Sequence, residues 1–304
     1  MSTPRTRPPS ATPYVLLTMA VLFWAGNFIL GRAVRDDVPP VALAFWRWAI
    51  ASLLVCGPAW SALRRDWPVL RDHWRMLILL AGTGVAAFNT LVYTGLQYTV
   101  AINAFLMQAL MPVFIVLFSF ALFQERINRR QAVGIMLCLA GALTIIVQGD
   151  WAVITALSLN PGDLLVLLAV LAYAAYTVLL RQRPPIHPLS LVTVTFILGT
   201  LMLLPLYLWE TFRGRPVQVN EVTVLALIYV GIFPSIISYL CYNRGVAYIG
   251  ANRAGLFLYL MPVFGSAMAV AFLGEPIHGY HWVGIFLIAA GLFTTMWSFK
   301  GRAS

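Results

Sequence analysis

The chain has 304 residues, of which 61% are hydrophobic and only 10% are charged, and its mean hydropathy is +0.85. Soluble domains carry about a quarter charged residues, so this composition indicates a protein that lies in lipid. The net charge of +10 does not indicate nucleic-acid binding, because the basic residues stand singly or in small groups between apolar runs, where membrane proteins carry their topology signals.

Apolar stretches of roughly 20 residues follow a short tail rich in Ser, Thr and Pro. The charge-free run from 76 to 124 is too long for one helix and predicts two helices with a turn near 97–99. The sequence therefore predicts an all-α membrane protein with ten transmembrane helices, at 14–34, 41–63, 74–97, 100–123, 130–148, 163–180, 189–209, 222–243, 251–273 and 281–299.

The chain repeats itself at an offset of 150 positions. Leu-Met-Pro-Val-Phe occurs at 110–114 and at 260–264, and the same shift places Gly134 on Gly284. Internal repeats in an apolar chain are typical of transporters built from two homologous bundles around a midplane site. The predicted organisation is a disordered cytoplasmic tail (1–13), a first five-helix repeat (14–148), a periplasmic linker (149–162), a second repeat (163–299) and a cytoplasmic tail (300–304).

The distribution of basic residues predicts the orientation. With the N-terminus in the cytoplasm, 15 of the 20 Arg and Lys residues fall on the cytoplasmic side and 4 fall outside. Because Arg and Lys concentrate in cytoplasmic loops, both termini are predicted to be cytoplasmic. Five helices in each repeat place the second repeat upside down relative to the first, so the repeats are predicted to be inverted around a central cavity.

Several motifs together carry a family resemblance over nearly the whole chain. Phe-Trp-Ala-Gly-Asn-Phe occurs at 23–28, Phe-Trp-Arg-Trp at 45–48, and the repeated Leu-Met-Pro-Val-Phe lies in helices four and nine. With the ten helices, these motifs resemble the EamA-type members of the drug/metabolite transporter superfamily. Within that superfamily the chain is most similar to the bacterial aromatic amino-acid exporters of the YddG-like branch.

The resemblance implies a basket of helices around a cavity, with helices five and ten at the back, and no cofactor. We expect a monomeric exporter in the bacterial inner membrane that moves aromatic or hydrophobic amino acids by alternating access. Its expected partners are the lipid bilayer and this small-molecule substrate, and neither a nucleic acid nor a metal ion is expected.

Ion coupling and enzyme activity are not expected. No Asp or Glu falls in the middle of a predicted helix, so a facilitator is favoured over an ion-coupled antiporter. No nucleophile, acid and base cluster at membrane depth, as an intramembrane enzyme would need. The alternative is a broader metabolite or drug exporter of the same superfamily, with or without proton coupling.

Pro112 and Pro262 lie near the middle of helices four and nine. A proline there removes one backbone hydrogen bond and frees the carbonyl four residues earlier, on Gln108 and Leu258. Irregular backbone at this depth is tolerated only where protein or a water-filled cavity surrounds it. Both prolines are therefore candidate hinges beside a cavity, and Gln108 is a candidate substrate-binding residue. A packing kink without ligand contact is the other interpretation.

Helix three carries Asn89 and Tyr93 one turn apart, and the repeat places them on Tyr239 and Asn243 of helix eight. Polar residues inside a span seldom face lipid, so all four are candidate cavity-lining residues. Hydrogen bonding between helices is the alternative interpretation.

Trp24 and Asn27 of helix one are matched, at an offset of 149, by Tyr173 and Tyr176 of helix six. Aromatic rings with a polar group suit an aromatic substrate, which they can bind by stacking and one hydrogen bond. Trp24 lies too deep for the interfacial aromatic belt. The belt is instead predicted to contain Trp46, Trp48, Trp60, Trp67, Trp74 and Trp209.

Arg47 is the one charge clearly inside a predicted span. Intramembrane arginines are costly and usually functional, so Arg47 is a candidate to attract a substrate carboxylate or to pair with carbonyls at the cavity edge. The structural alternatives are that it snorkels to the surface or stacks on a neighbouring tryptophan.

Overall fold

A computed structural model describes residues 11–33, 37–155, 159–214, 217–273 and 276–297, and within these ranges it contains helices and no strand. The predicted all-α class is confirmed. In the described part of the chain, nine helical stretches are long and apolar enough to cross a membrane, and the predicted number of ten crossings stays a prediction.

The described residues form ten long helical units, four of which are internally irregular. In chain order they are α1 (Thr12–Ala33), α2 (Pro40–Asp72), α3 (Trp74–Ala81, Gly82–Ala87 and Phe88–Gly95), α4 (Ala101–Ala109 and Met111–Phe123), α5 (Arg129–Ile146), α6 (Pro161–Leu179), α7 (Pro188–Phe212), α8 (Glu221–Gly231, Ile232–Ile237 and Ser238–Ile249), α9 (Ala251–Leu256, Phe257–Tyr259 and Leu260–Leu273) and α10 (Gly279–Trp297).

The helix ends differ from prediction mainly in α2. The sequence predicts an end near 63, but the helix continues through Pro68 to Asp72, a length of 33 residues or about 50 Å. Because the apolar layer of a bilayer is about 30 Å thick, the C-terminal turns of α2 extend beyond it. The helix α1 begins inside the predicted tail, and the rest of the two predicted tails, at 1–10 and 300–304, lies outside the described residues.

The irregular turns recur with the sequence repeat. A π-helical turn interrupts α3 at Gly82–Ala87, and another interrupts α8 at Ile232–Ile237, 150 positions later. Both α4 and α9 also break just before their central proline, at Leu110 and at Phe257–Tyr259. The two repeats therefore share their backbone irregularities as well as their sequence.

Glycines hold α5 and α10 together in antiparallel contact. A Cβ placed on Gly134 would lie 2.7 Å from the carbonyl oxygen of Gly291, and one on Gly291 would lie 2.5 Å from the carbonyl oxygen of Gly134. Gly141 and Gly284 approach each other in the same way, at 2.6 and 2.8 Å. Since Gly134 corresponds to Gly284 and Gly141 to Gly291, both repeats contribute the same pair of glycines to this contact.

Two buried carboxylates join α2 and α7 at both ends. Glu210, near the end of α7, accepts hydrogen bonds from the first backbone amides of α2, including Ala42 N at 2.8 Å. Asp66, near the end of α2, accepts from His187 N at 2.7 Å and from Ser190 Oγ at 2.8 Å at the start of α7. Each carboxylate satisfies free amides at the N-terminus of the other helix, where the helix dipole also favours negative charge.

The remaining helix contacts occur in pairs, in which each helix of one repeat is replaced by its counterpart in the other repeat. The helix α3 packs on α6 as α8 packs on α1, and α4 packs on α6 as α9 packs on α1. The helix α2 contacts α8 as α7 contacts α3. These pairings group α1, α3, α4, α6, α8 and α9 together, with the α2–α7 and α5–α10 pairs packed against them.

The glycine contact leads to a stability prediction. We expect Gly291→Ala to lower the unfolding free energy by about 1–3 kcal/mol, because the added methyl meets backbone atoms that cannot move aside. Thermal unfolding of the purified protein in detergent measures the effect. Gly265→Ala is the matched control, since its methyl would meet nothing within 4 Å. Equal melting temperatures for both variants would contradict the close α5–α10 packing.

Candidate functional site

A cavity lies between the helices at the centre of the described fold. Residues from α1, α2, α3, α4, α5, α6, α8 and α9 line it. They are Trp24, Asn27, Arg47, Phe88, Asn89, Val92, Tyr93, Phe105, Gln108, Ala109, Met111, Pro112, Ala142, Ile146, Tyr173, Tyr239, Leu258, Tyr259, Met261 and Pro262. The volume open to the centres of water-sized molecules is about 60 Å³, which is enough for a few waters.

Aromatic rings form much of the cavity wall. The Trp24 indole meets the rings of Tyr173 and Tyr239 edge-on, with centroids 5.8 and 6.0 Å apart, and Phe88 lies 4.7 Å from Tyr173. These edge-to-face and tilted contacts are favourable for π-systems and hold each ring in place. The wall therefore offers fixed aromatic surface to a bound molecule.

Arg47 is the charged group of this cavity, and only 2% of its surface is exposed. Its Nε donates to Ser235 Oγ at 2.7 Å, and its Nη2 donates to the carbonyl oxygen of Pro234 at 2.9 Å. Its Nη1 faces three neutral acceptors, the Asn89 side-chain oxygen at 3.0 Å, the Tyr93 hydroxyl at 3.3 Å and the Asn27 side-chain oxygen at 3.4 Å. The guanidinium therefore has several hydrogen bonds but only neutral partners among these.

The charge of Arg47 is not balanced by a carboxylate. Among the described residues, no ion pair involves Arg47, and no described cavity-lining residue is acidic. One of the two hydrogens on Nη2 also has no acceptor in the described part of the chain. An arginine in this state favours a ligand that brings a negative charge and an oxygen acceptor.

The π-helical turns supply backbone carbonyls that bond side chains of the cavity. A π-helical turn shifts the helical hydrogen bonds and is common at functional sites. In α8, the carbonyl of Pro234 accepts from Arg47 and, at 2.8 Å, from Trp24 Nε1. In α3, the carbonyl of the repeat-related Gly84 accepts from the Tyr239 hydroxyl. Equivalent carbonyls in the two repeats thus hold side chains of the cavity.

Four polar side chains of the cavity have buried atoms without a partner in the described structure. These atoms are Asn89 Nδ2, Gln108 Nε2 and the hydroxyls of Tyr173 and Tyr259. A buried polar atom without a hydrogen bond costs free energy, so such atoms mark where water or a ligand binds. All four can donate a hydrogen bond.

Most of the predicted site residues meet at this cavity. It is lined by Trp24, Asn27, Arg47, Asn89, Tyr93, Gln108, Tyr173 and Tyr239, and by both candidate hinges, Pro112 and Pro262. Tyr176 and Asn243 do not line it. The Tyr176 hydroxyl donates to the Asn243 side-chain oxygen at 2.8 Å, so these two join α6 to α8 beside the cavity.

The surroundings of Arg47 and Trp48 show whether Arg47 snorkels or stacks, and whether Trp48 belongs to the interfacial belt. Arg47 does not snorkel to the surface; its guanidinium carbon lies 4.7 Å from the Trp48 ring centroid, and it pairs with a carbonyl as well. The assignment of Trp48 to the interfacial belt is wrong. Its side chain is 0% exposed and packs against Phe196 and Tyr239, because it lies on the face of α2 that meets α7 and α8.

Ser235, the Pro234 carbonyl and Tyr259 were not found from sequence. A serine in an apolar helix has many unremarkable roles, and a carbonyl gives no sequence signal until the helix is seen to be irregular. Tyr259 did carry a signal, since the repeat aligns it with Ala109, next to Gln108. In the described residues, no group of three His, Cys, Asp or Glu side chains could hold a metal ion.

Irregular membrane helices around a narrow cavity, with aromatic walls and one buried cation, are typical of a transporter of small molecules. The comparison with protein families agrees: residues 11–147 and 160–297 each match the EamA-like transporter family. The chain belongs to this family, and it is a multi-pass membrane transporter and not an enzyme.

Relatives of known name extend over almost the whole chain. An uncharacterized transporter, YyaM, of Bacillus subtilis is 28% identical over 92% of this chain and 92% of its own length. A probable terminal-alkyne amino-acid exporter of Streptantibioticus cattleyicolor is 29% identical over 85% of this chain and 84% of its own. A probable amino-acid metabolite efflux pump of Salmonella typhimurium is 26% identical over 94% of this chain and 95% of its own length.

A solved crystal structure shares the fold. It superposes with a TM-score of 0.79 and covers 97% of this chain and 100% of its own, at 20% sequence identity. At that identity the likeness concerns the fold alone.

Cysteine labelling can test which predicted residues reach the cavity. In a variant without the native cysteines Cys56, Cys138 and Cys241, we expect Gln108→Cys to react at least about tenfold faster than Asn243→Cys with a small water-soluble thiol reagent, because reaction requires access. The rates are measured by mass spectrometry of the folded protein. Equal rates would mean that the cavity boundary lies elsewhere.

Proposed function

We propose that the protein exports aromatic and other hydrophobic amino acids across the bacterial inner membrane. The observation that carries this proposal is one cavity that combines fixed aromatic walls with a buried, unbalanced arginine. Rings stack on the hydrophobic side chain of the substrate, while the guanidinium binds its carboxylate. One relative named for export of a terminal-alkyne amino acid and one named for efflux of amino-acid metabolites support this substrate class.

Arg47 is the proposed carboxylate anchor. Its Nη2 has a hydrogen available for an additional acceptor, and its Nη1 contacts are long enough to be exchanged for a carboxylate oxygen. Trp24, Phe88 and Tyr173 supply the adjoining aromatic surface. Asn27, Asn89, Tyr93, Gln108 and Tyr239 complete the proposed substrate-binding set, and Tyr176 and Asn243 support it from outside the cavity.

Transport is proposed to proceed by alternating access in a monomer. A cavity with room for only a few waters must widen to admit an aromatic amino acid, so the helices around it have to move. The breaks before Pro112 and Pro262 lie on this cavity and lack regular helical hydrogen bonds, which makes them suitable hinges.

The proposed transport is not coupled to ions. Proton or sodium coupling normally uses a titratable or anionic group at the midplane. The described cavity-lining residues include no Asp, Glu or His, and the buried Asp66, Asp163 and Glu210 all lie near helix ends. A facilitator that follows the substrate gradient is therefore favoured.

The proposed orientation places both termini in the cytoplasm. The extension of α2 beyond the apolar layer carries exposed Arg65 and Arg71, as expected of a cytoplasmic end. Exposed Trp60, Trp67 and Trp74 accompany these arginines, at the depth where aromatic residues meet lipid headgroups.

Uptake into proteoliposomes tests the function. We expect saturable uptake of labelled tryptophan that phenylalanine competes and that an imposed proton gradient leaves unchanged. Protein-free liposomes are the control. An uptake rate that rises with the proton gradient would replace the facilitator by a coupled transporter, and an absence of any protein-dependent tryptophan flux would reject the proposed substrate class.

Replacement of Arg47 tests the carboxylate anchor. We expect Arg47→Gln to raise the KM for tryptophan about tenfold or more, because a charge-assisted hydrogen bond contributes about 1.5–3 kcal/mol. Arg213→Gln is the matched control, since this exposed arginine at the end of α7 lies outside the cavity. Unchanged tryptophan kinetics in a folded Arg47→Gln protein would remove Arg47 from the site.

A further inference from the structure

We propose that this cavity also carries aromatic 2-oxo acids, and that it requires a carboxylate of its cargo but not an ammonium group. The inference rests on the proposed function for the aromatic part of the cargo. The inference concerns the group at carbon 2 of the cargo, next to the carboxylate, which is an ammonium group in an amino acid and an oxo group in a 2-oxo acid. Two independent observations on the cavity bear on the charge and the hydrogen bonding of this group.

The first observation is the charge of the cavity. Arg47 is the one charged group among the described cavity-lining residues, and the other polar side chains there are amides and phenols. A bound carboxylate neutralises the guanidinium. An α-ammonium group would then lie only a few ångströms from the same guanidinium, where a low-dielectric site screens repulsion poorly, and no described carboxylate balances it.

The second observation is the character of the unpartnered polar atoms. Asn89 Nδ2 and Gln108 Nε2 are only donors, and the hydroxyls of Tyr173 and Tyr259 can donate as well. The Tyr259 hydroxyl is part of a side chain that is 1% exposed, so bulk water does not satisfy it. A donor needs an acceptor, and the 2-oxo group of a 2-oxo acid presents one where an amino acid presents three more donors.

The two observations predict an order of affinity within one ring system. Phenylpyruvate has the carboxylate and the acceptor, 3-phenylpropionate has the carboxylate alone, phenylalanine adds the ammonium group, and 2-phenylethylamine keeps only the amine. An amine without a carboxylate is repelled by Arg47 and gains no ion pair in return. The cavity should therefore favour phenylpyruvate most and 2-phenylethylamine least.

Titration calorimetry on the purified full-length protein in detergent tests this order. We expect phenylpyruvate to bind at least as tightly as phenylalanine, and 2-phenylethylamine to bind about tenfold or more weakly than 3-phenylpropionate. Phenylalanine binding tenfold tighter than both amine-free acids, or 2-phenylethylamine binding as tightly as 3-phenylpropionate, would overturn the proposal. A failure of all four compounds to bind would overturn it too.

Variants separate the charge from the donors. Arg47→Gln should weaken all three carboxylates about tenfold or more and leave 2-phenylethylamine unchanged or stronger, while Arg213→Gln should change none of them. Gln108→Leu should weaken phenylpyruvate more than 3-phenylpropionate and so remove the advantage of the 2-oxo acid. An equal loss for every compound in both cavity variants would indicate a structural effect and would overturn the assignment.

Failure of this inference can be told apart from failure of the proposed amino-acid export. Amino-acid flux is measured in proteoliposomes, whereas the order of affinity is measured at equilibrium on the isolated protein. Tryptophan flux with an absolute requirement for the ammonium group would uphold the proposed function and overturn this inference. Binding of phenylpyruvate without any amino-acid flux would do the reverse.

Discussion

The burial of one guanidinium constrains the centre of this protein. Inside a membrane, Arg47 is tolerated only if its donors find acceptors, and the apolar helices around it offer few. The acceptors come from α1, α3 and α8, and the strongest of them depend on a π-helical turn that presents the Pro234 carbonyl and Ser235. The relative positions of four helices are therefore linked through a single side chain.

The two repeats use the same backbone device for different purposes. The π-helical turns in α3 and α8 coincide under the repeat, and each contributes a carbonyl that bonds side chains of the cavity. The Gly84 carbonyl holds the neutral phenol of Tyr239, whereas the Pro234 carbonyl holds a cation and an indole. The repeat thus supplies the same backbone turn twice. A substitution in one repeat supplies the charge of Arg47, which makes one side of the cavity polar.

Composition, periodicity and the internal offset were enough to predict the helices, and a lone intramembrane charge was enough to select Arg47. What they could not supply is the local path of the backbone. Neither π-helical turn has a sequence rule, so Ser235 stayed hidden. Side chains at neighbouring helical positions also point in different directions. Asn243 lies one turn from Tyr239 but bonds Tyr176 outside the cavity. Trp48, next to Arg47, is buried between helices.

The bonds of Arg47 differ in a way that can couple binding to helix movement. Its contacts with α8 are short, at 2.7 and 2.9 Å, whereas three acceptors from α1 and α3 share the two hydrogens of Nη1 at 3.0–3.4 Å. A carboxylate that approaches Nη1 competes with Asn27, Asn89 and Tyr93, not with the α8 contacts. Substrate would then loosen α1 and α3 from α2 while α2 stays joined to α8. The helix α9 packs on α1 and its break lies on the same cavity, so α9 can bend as α1 moves. The free energy for the rearrangement then comes from the binding of the carboxylate.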